Sequence, residues 1–166
     1  MSSRRVFIKR VAGAGAAVAA GGPLSTGVAL AGGAGRIAGF DHVAVPMRDS
    51  DAMVSFYRAL GFEVHEGESI CSVHVGNHKI NFHRPILWQR KTFSLRAPGA
   101  VPPCGDFCFV WDGAMASLQT MLSNAGATII EGPAERRGGR DGGRATGTSV
   151  YVRDPDQNLV EFMVYE

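Results

Sequence analysis

Glu161 stands in mid-strand within Leu159-Val160-Glu161-Phe162-Met163-Val164. Alternation puts Leu159, Glu161 and Met163 on one face and Val160, Phe162 and Val164 on the other. A carboxylate set between two hydrophobes on a strand is costly unless it is paired or bound to a cation. Glu161 is therefore a candidate metal ligand, and His42, His83 and Asp106 are the candidate partners. They are strand-borne imidazoles and a carboxylate, the donor types that a divalent metal takes.

These four residues sit at equivalent places in an internal repeat. Ile37 to Pro46 alternates as a strand, and Asp49 or Ser50 can cap a helix with Met53, Val54, Tyr57 and Leu60 on its apolar stripe. Gly61 stops that helix, and strands follow at Phe62–Glu66, Ile70–Val75 and His78–His83, the last two joined by the hairpin signal Gly76-Asn77. The second half repeats the pattern with a strand at Asp106–Val110 and a helix at Ala114–Asn124 that Gly126 stops. Strands at Thr128–Glu131, Thr148–Val152 and Leu159–Val164 complete it, the last preceded by the turn Asp154-Pro155-Asp156. His42 lies 19 residues before Gly61, and Asp106 lies 20 before Gly126. The expected fold is α+β: paired β-α-β-β-β modules, about 37–83 and 106–164, joined in a curved mixed sheet with the helices outside. His42, His83, Asp106 and Glu161 then collect on its concave face, two from each module.

The halves differ in one place. Gly132–Gly147 is extra length and carries Arg136, Arg137, Arg140 and Arg144 among its glycines. A Gly/Arg loop of that length is either a lid over an anionic substrate or a disordered surface loop. Arg136, Arg137 and Arg140 are candidate substrate-binding residues on the first reading.

The N-terminus reads as a leader. Ser3-Arg4-Arg5-Val6-Phe7-Ile8-Lys9 is a twin-arginine pattern, followed by a weakly hydrophobic Ala/Gly-rich run without acidic residues and by Ala29-Leu30-Ala31. Residues 1–31 are expected to be a twin-arginine signal peptide recognised by the export machinery, which makes the mature protein periplasmic or secreted. Residues 32–166 remain as a single domain. The whole chain has 17 basic and 15 acidic residues; losing Arg4, Arg5, Lys9 and Arg10 turns a net charge of +2 into −2. The basic balance belongs to the leader, and no basic, aromatic-interleaved patch points to nucleic acid. Cys71, Cys104 and Cys108 are too scattered for a disulfide framework or a structural zinc site and are expected as small buried hydrophobes.

Three stretches carry a family resemblance. Phe40-Asp41-His42-Val43-Ala44-Val45, Phe56-Tyr57-Arg58-Ala59-Leu60-Gly61-Phe62-Glu63-Val64 and Asp154-Pro155-Asp156-Gln157-Asn158-Leu159-Val160-Glu161 resemble the vicinal-oxygen-chelate superfamily. That superfamily holds glyoxalase I, fosfomycin-resistance proteins, extradiol dioxygenases and bleomycin-resistance proteins. The Asn81-Phe82-His83 strand end and the Glu131-Gly132-Pro133 turn are similar to the glyoxalase domain-containing protein 5 type. The resemblance implies metal ligands at His42, His83, Asp106 and Glu161, although the family usually has Glu where His83 stands and His where Asp106 stands. Two imidazoles with one or two carboxylates suit Zn, Ni, Mn, Co or Fe(II). It also implies Tyr151 and Glu161 as catalytic residues, Asn81 among the substrate-binding ones, and a homodimer whose site lies within one chain or across two.

The implied activity is a metal-dependent, glyoxalase-like proton transfer, of lyase or isomerase type, on a small oxygen-rich substrate, with Glu161 as the base. Two rivals stand beside it. An extradiol-type dioxygenase fits the spacing of Tyr151 from Glu161 but not Asp106, where the dioxygenases carry histidine. A metal-free protein that sequesters an apolar or antibiotic ligand fits the same fold, with Trp88, Trp111 and phenylalanines lining its cleft.

Overall fold

The computed structural model describes residues 35–165, so the expected leader at 1–31 lies outside the described residues. In chain order the elements are β1 (His42–Pro46), α1 (Ser50–Ala59), β2 (Glu63–Glu66), β3 (Ile70–Val75), β4 (His78–His83), α2 (Pro85–Trp88), β5 (Asp106–Val110), α3 (Met115–Asn124), β6 (Glu131–Arg137), the helical turn α4 (Arg140–Gly143), β7 (Thr146–Arg153) and β8 (Leu159–Val164). The strands form two four-stranded sheets, ordered β1-β4-β3-β2 and β5-β8-β7-β6. In each, the first strand runs parallel to the last and the other pairs are antiparallel. A parallel pair needs a crossover, which α1 and α3 supply. This is the expected α+β pair of modules. The difference is that the ladder is not continuous: β1 and β5 are the outer strands of separate sheets.

Local chemistry explains the elements. The Asp49 carboxylate accepts from the Ala52 N–H at 3.0 Å and caps α1, whose Met53, Val54 and Tyr57 are buried. Gly61 ends it at φ +88°, a conformation that glycine takes without a steric cost. On α3, Leu118 and Leu122 are fully buried while Met115 and Met121 pack at the margin. Val45, Ile80 and Phe82 from the first sheet and Phe107, Phe109, Val160 and Phe162 from the second feed one core. Phe82 meets Phe107 at 6.0 Å between ring centres, and Phe62 meets Phe109 at 4.8 Å, so aromatic edges weld the modules together.

The Asp154–Asn158 turn does more than reverse the chain. Asp154, Asp156 and Asn158 are each only 1% exposed. The Asp154 carboxylate accepts from the Tyr57 hydroxyl at 3.1 Å and from the Asn158 N–H and side-chain amide at 2.8 Å each. Asp156 accepts from the backbone N–H groups of Arg48 and Asp49, just ahead of α1. The Asn158 amide oxygen accepts from the N–H groups of Cys104 and Gly105, leading into β5. Burial pushes the Asp154 carboxyl above its ordinary range and, with Asp154 beside it, pushes the Tyr57 hydroxyl well up.

Two expectations need correction. Gly132–Gly147 is not a lid-like loop: β6 pairs with β7 through Glu135↔Thr148, Arg136↔Gly147 and Arg137↔Thr146, closed by α4. Ladder pairing overrides the turn-rich composition, and the strand expected at Thr128–Glu131 instead begins at Glu131. Of the cysteines only Cys71 is buried; Cys104 and Cys108 are exposed, because Cys108 lies on the face of β5 away from Phe107 and Phe109.

Candidate functional site

The outer face of the second sheet carries a row of polar side chains fixed by strand register. Cys108 pairs with Glu161, Glu161 with Tyr151, and Tyr151 with Glu131, so the four lie side by side on one face. Arg136, further along β6, closes the row: its Nε donates to the Tyr151 hydroxyl at 3.1 Å and its Nη2 pairs with Glu131. Its guanidinium stands 5.6 Å from the centre of the Tyr151 ring. Because Tyr151 accepts from Arg136, its own O–H can donate towards the neighbouring Glu161 carboxylate. Burial raises the Tyr151 hydroxyl, the Arg136 bond opposes that, and the Glu161 carboxylate raises it further. Burial of the sulfur and then the neighbouring Glu161 carboxylate push the Cys108 thiol up to about 12. Cys108 is thus a protonated neighbour of Glu161.

The first sheet has its own outer face. His42 pairs with Lys79, Ala44 with Asn81, and Pro46 with His83. His42 and His83 are thus four strand positions apart, roughly 13 Å along the sheet. The His42 ring is 45% exposed and hydrogen-bonded to Asp41 at 2.6 Å. His83 is 7% exposed, its ring packed 5.3 Å from that of Phe93, and its Nδ1 has no partner. Burial holds its pKa below the ordinary histidine value. Asn81 accepts from the Ser72 hydroxyl at 2.7 Å. On β2 and β3 the His65 and His74 ring centres are 4.6 Å apart with the rings tilted at 46°, and His65 bonds Glu63 at 2.6 Å.

One chain therefore divides the expected constellation. Asp106 and Glu161 share a face of the second sheet, while His42 and His83 sit at opposite ends of a strand pair in the first. No hydrogen bond or ion pair links the two sets among the described residues. Nor, among those residues, do three His, Cys, Asp or Glu side chains already surround one cation position. Arg136 reaches the row but the other arginines do not: Arg137 is exposed, Arg140 stacks 4.2 Å over the Tyr165 ring, and Arg144 pairs with Asp141. Cys108 and Glu131 are the members of the row that sequence reasoning missed. Period-two parity from Asp106 identifies Cys108, but Glu131 depends on a bulged register that no local signal marks. The indoles are used elsewhere, Trp88 donating to the Met47 carbonyl and Trp111 to Ser117. Between the modules lies a cavity of about 460 Å³, lined mainly by Phe40, Val43, Val45, Ile80, Phe107 and Phe109.

No family model matches the chain. Related proteins are nevertheless found. The chain is 35% identical over 129 residues to the glyoxalase domain-containing protein RDO1 of Mycosarcoma maydis, covering 76% of this chain and 68% of that one. It is 33% identical to the virulence protein STM3117 of Salmonella typhimurium, covering 75% and 83% respectively. The crystal structure of STM3117 superposes with a TM-score of 0.67, covering 79% of this chain and 99% of that one at 29% identity. The lactoylglutathione lyase of Agrobacterium tumefaciens shares the fold at 20% identity, with a TM-score of 0.59 over 79% of this chain and 100% of that one.

Proposed function

The chain belongs to the glyoxalase domain-containing proteins of the vicinal-oxygen-chelate superfamily, and on that premise we propose that it is an enzyme of glyoxalase-like proton transfer. The substrate class is a small oxygen-rich molecule. The observation that carries the reading is the row Cys108–Glu161–Tyr151, braced by Arg136. Glu161 would take a proton from a carbon next to a carbonyl, and Tyr151, held by Arg136, would donate to the oxygen on which charge develops. Cys108 and Asp106 flank the base.

Within one chain, among the described residues, no three of these donors already gather round one cation position, and His83 is packed against Phe93. We propose a homodimer in which the first module of one copy faces the second module of the other. His42 from one copy, with Asp106 and Glu161 from the other, would then offer the donor types that Zn, Ni, Mn, Co or Fe(II) accept. Such an ion would supply charge stabilisation to adjacent substrate oxygens. The outer strands β1 and β5 support this reading, as each ends its sheet unpaired.

Purified protein, metal-free and loaded with each cation, tested against hemithioacetals and catechols, decides the matter. Glu161→Gln is expected to lower kcat about a thousandfold and Tyr151→Phe about tenfold to a hundredfold. Turnover of catechols alone would favour the dioxygenase, and no turnover under any loading overturns the enzyme reading. The cavity between the modules favours a second reading, sequestration of an apolar ligand; binding that Glu161→Gln leaves intact and no turnover would establish it. Residues 1–31 are proposed as a twin-arginine leader, and Arg4→Lys with Arg5→Lys should keep the protein in the cytoplasm.

A further inference from the structure

The outer hairpin of the first module gathers three metal-type donors away from the row around Glu161. Glu63 pairs with His74 across β2 and β3, and His65 pairs with Ser72 two register positions along, so all three donors share one face. Glu63 Oε1 and His65 Nε2 are 2.6 Å apart, and the two imidazole centres are 4.6 Å apart. Two imidazoles bound to one cation at ~2.0–2.1 Å and at angles of about 90–110° bring their ring centres to roughly 4.5–5.3 Å. The histidine pair already has that separation.

From this geometry we propose that Glu63, His65 and His74 bind a divalent transition-metal cation of the zinc, copper or nickel type. Two imidazoles and a carboxylate form a borderline donor set that favours those ions over magnesium or calcium. Without a cation Glu63 and His65 are hydrogen-bonded to one another, which sets them a few tenths of an ångström too close to be ligands of one ion. Both side chains are exposed, 69% and 63%, so this separation needs only rotation of free side chains. The nearest opposing charge is Lys79, the register partner of His74 on β4. Lys79 also pairs in register with His42, so it stands on the face that His42, His74 and Glu63 share, between His42 and the three donors. β2 has four residues and ends its sheet, so a cation spanning β2 and β3 would pin the weakest edge of the module.

The test is zinc titration of the untagged full chain by calorimetry, with histidine proton spectra recorded alongside. The wild type should take up one equivalent that His65→Ala and His74→Ala each weaken at least tenfold, with the ring protons of both histidines shifting together. Saturating zinc should raise Tm, and in the two variants that rise should be smaller than in the wild type while the metal-free Tm is unchanged. His42→Ala and Glu161→Gln should leave this equivalent intact, which separates it from any cation at the proposed catalytic site. Titrations of His65→Ala and His74→Ala that match the wild type overturn the proposal, as does a wild type that takes up no cation at millimolar zinc.

Discussion

The two modules solve the same turn in different ways. Before the last strand of the first module the chain reverses through Gly76 and Asn77, both exposed, with Gly76 at φ +56°. At the equivalent place in the second module stands Asp154–Asn158, whose three polar side chains are almost wholly buried. One turn only redirects the chain. The other fastens Tyr57, the start of α1 and the approach to β5 to a single point. In a duplicated fold, one copy of an element can keep its local role while the other becomes a joint between the halves.

That contrast can be broken most sharply at Asp154. Asp154→Ala strips the partner from three buried donors and is expected to cost about 3–5 kcal/mol in urea denaturation, whereas Asn77→Ala should cost less than ~0.5 kcal/mol. Equal losses would abolish the distinction. Tyr57→Phe removes one donor to that carboxylate and should cost about 1–2 kcal/mol. The smallest effect concerns pH. Burial lowers the His83 pKa below 6.5, so the unfolded chain takes up the proton first. His83 therefore contributes its full stability above pH 6.5 and loses it as pH falls through the lowered value. His83→Leu should flatten that slope in denaturation curves recorded between about pH 7.5 and pH 5.

The polar faces differ as the turns do. The second module presents Glu161, Tyr151, Arg136 and Glu131 as one connected set, fixed by strand register and by the bonds of Arg136. The first presents exposed pairs instead, His42 with Asp41 and His65 with Glu63. Only the second braces its polar side chains across three strands.

Much of the architecture was readable from the residues because it is local. Alternation along β1, β5 and β8, the Asp49 cap and the Gly61 stop each depend on near neighbours, and each is found. The place of Glu161 opposite Val160 and Phe162 follows from parity alone. What could not be read is non-local. Four strand positions separate His42 from His83 only through the parallel register of β1 with β4, which no short stretch encodes. The β6–β7 hairpin was hidden because glycine and arginine are weak strand formers, and pairing with β7 supplies what composition does not. Asp154-Pro155-Asp156 announced a turn, but its long-range partners lie about a hundred residues away in Arg48, Asp49 and Tyr57.

The fastening at Asp154–Asn158 also bears on how the chain could be divided. It grips both halves without using the stretch from Gln89 to Val101, most of which is exposed. A backbone cut there would leave two fragments that carry matching parts of one lock. Co-expressed from separate messages they should reassemble, and a reporter split across them would report their reunion.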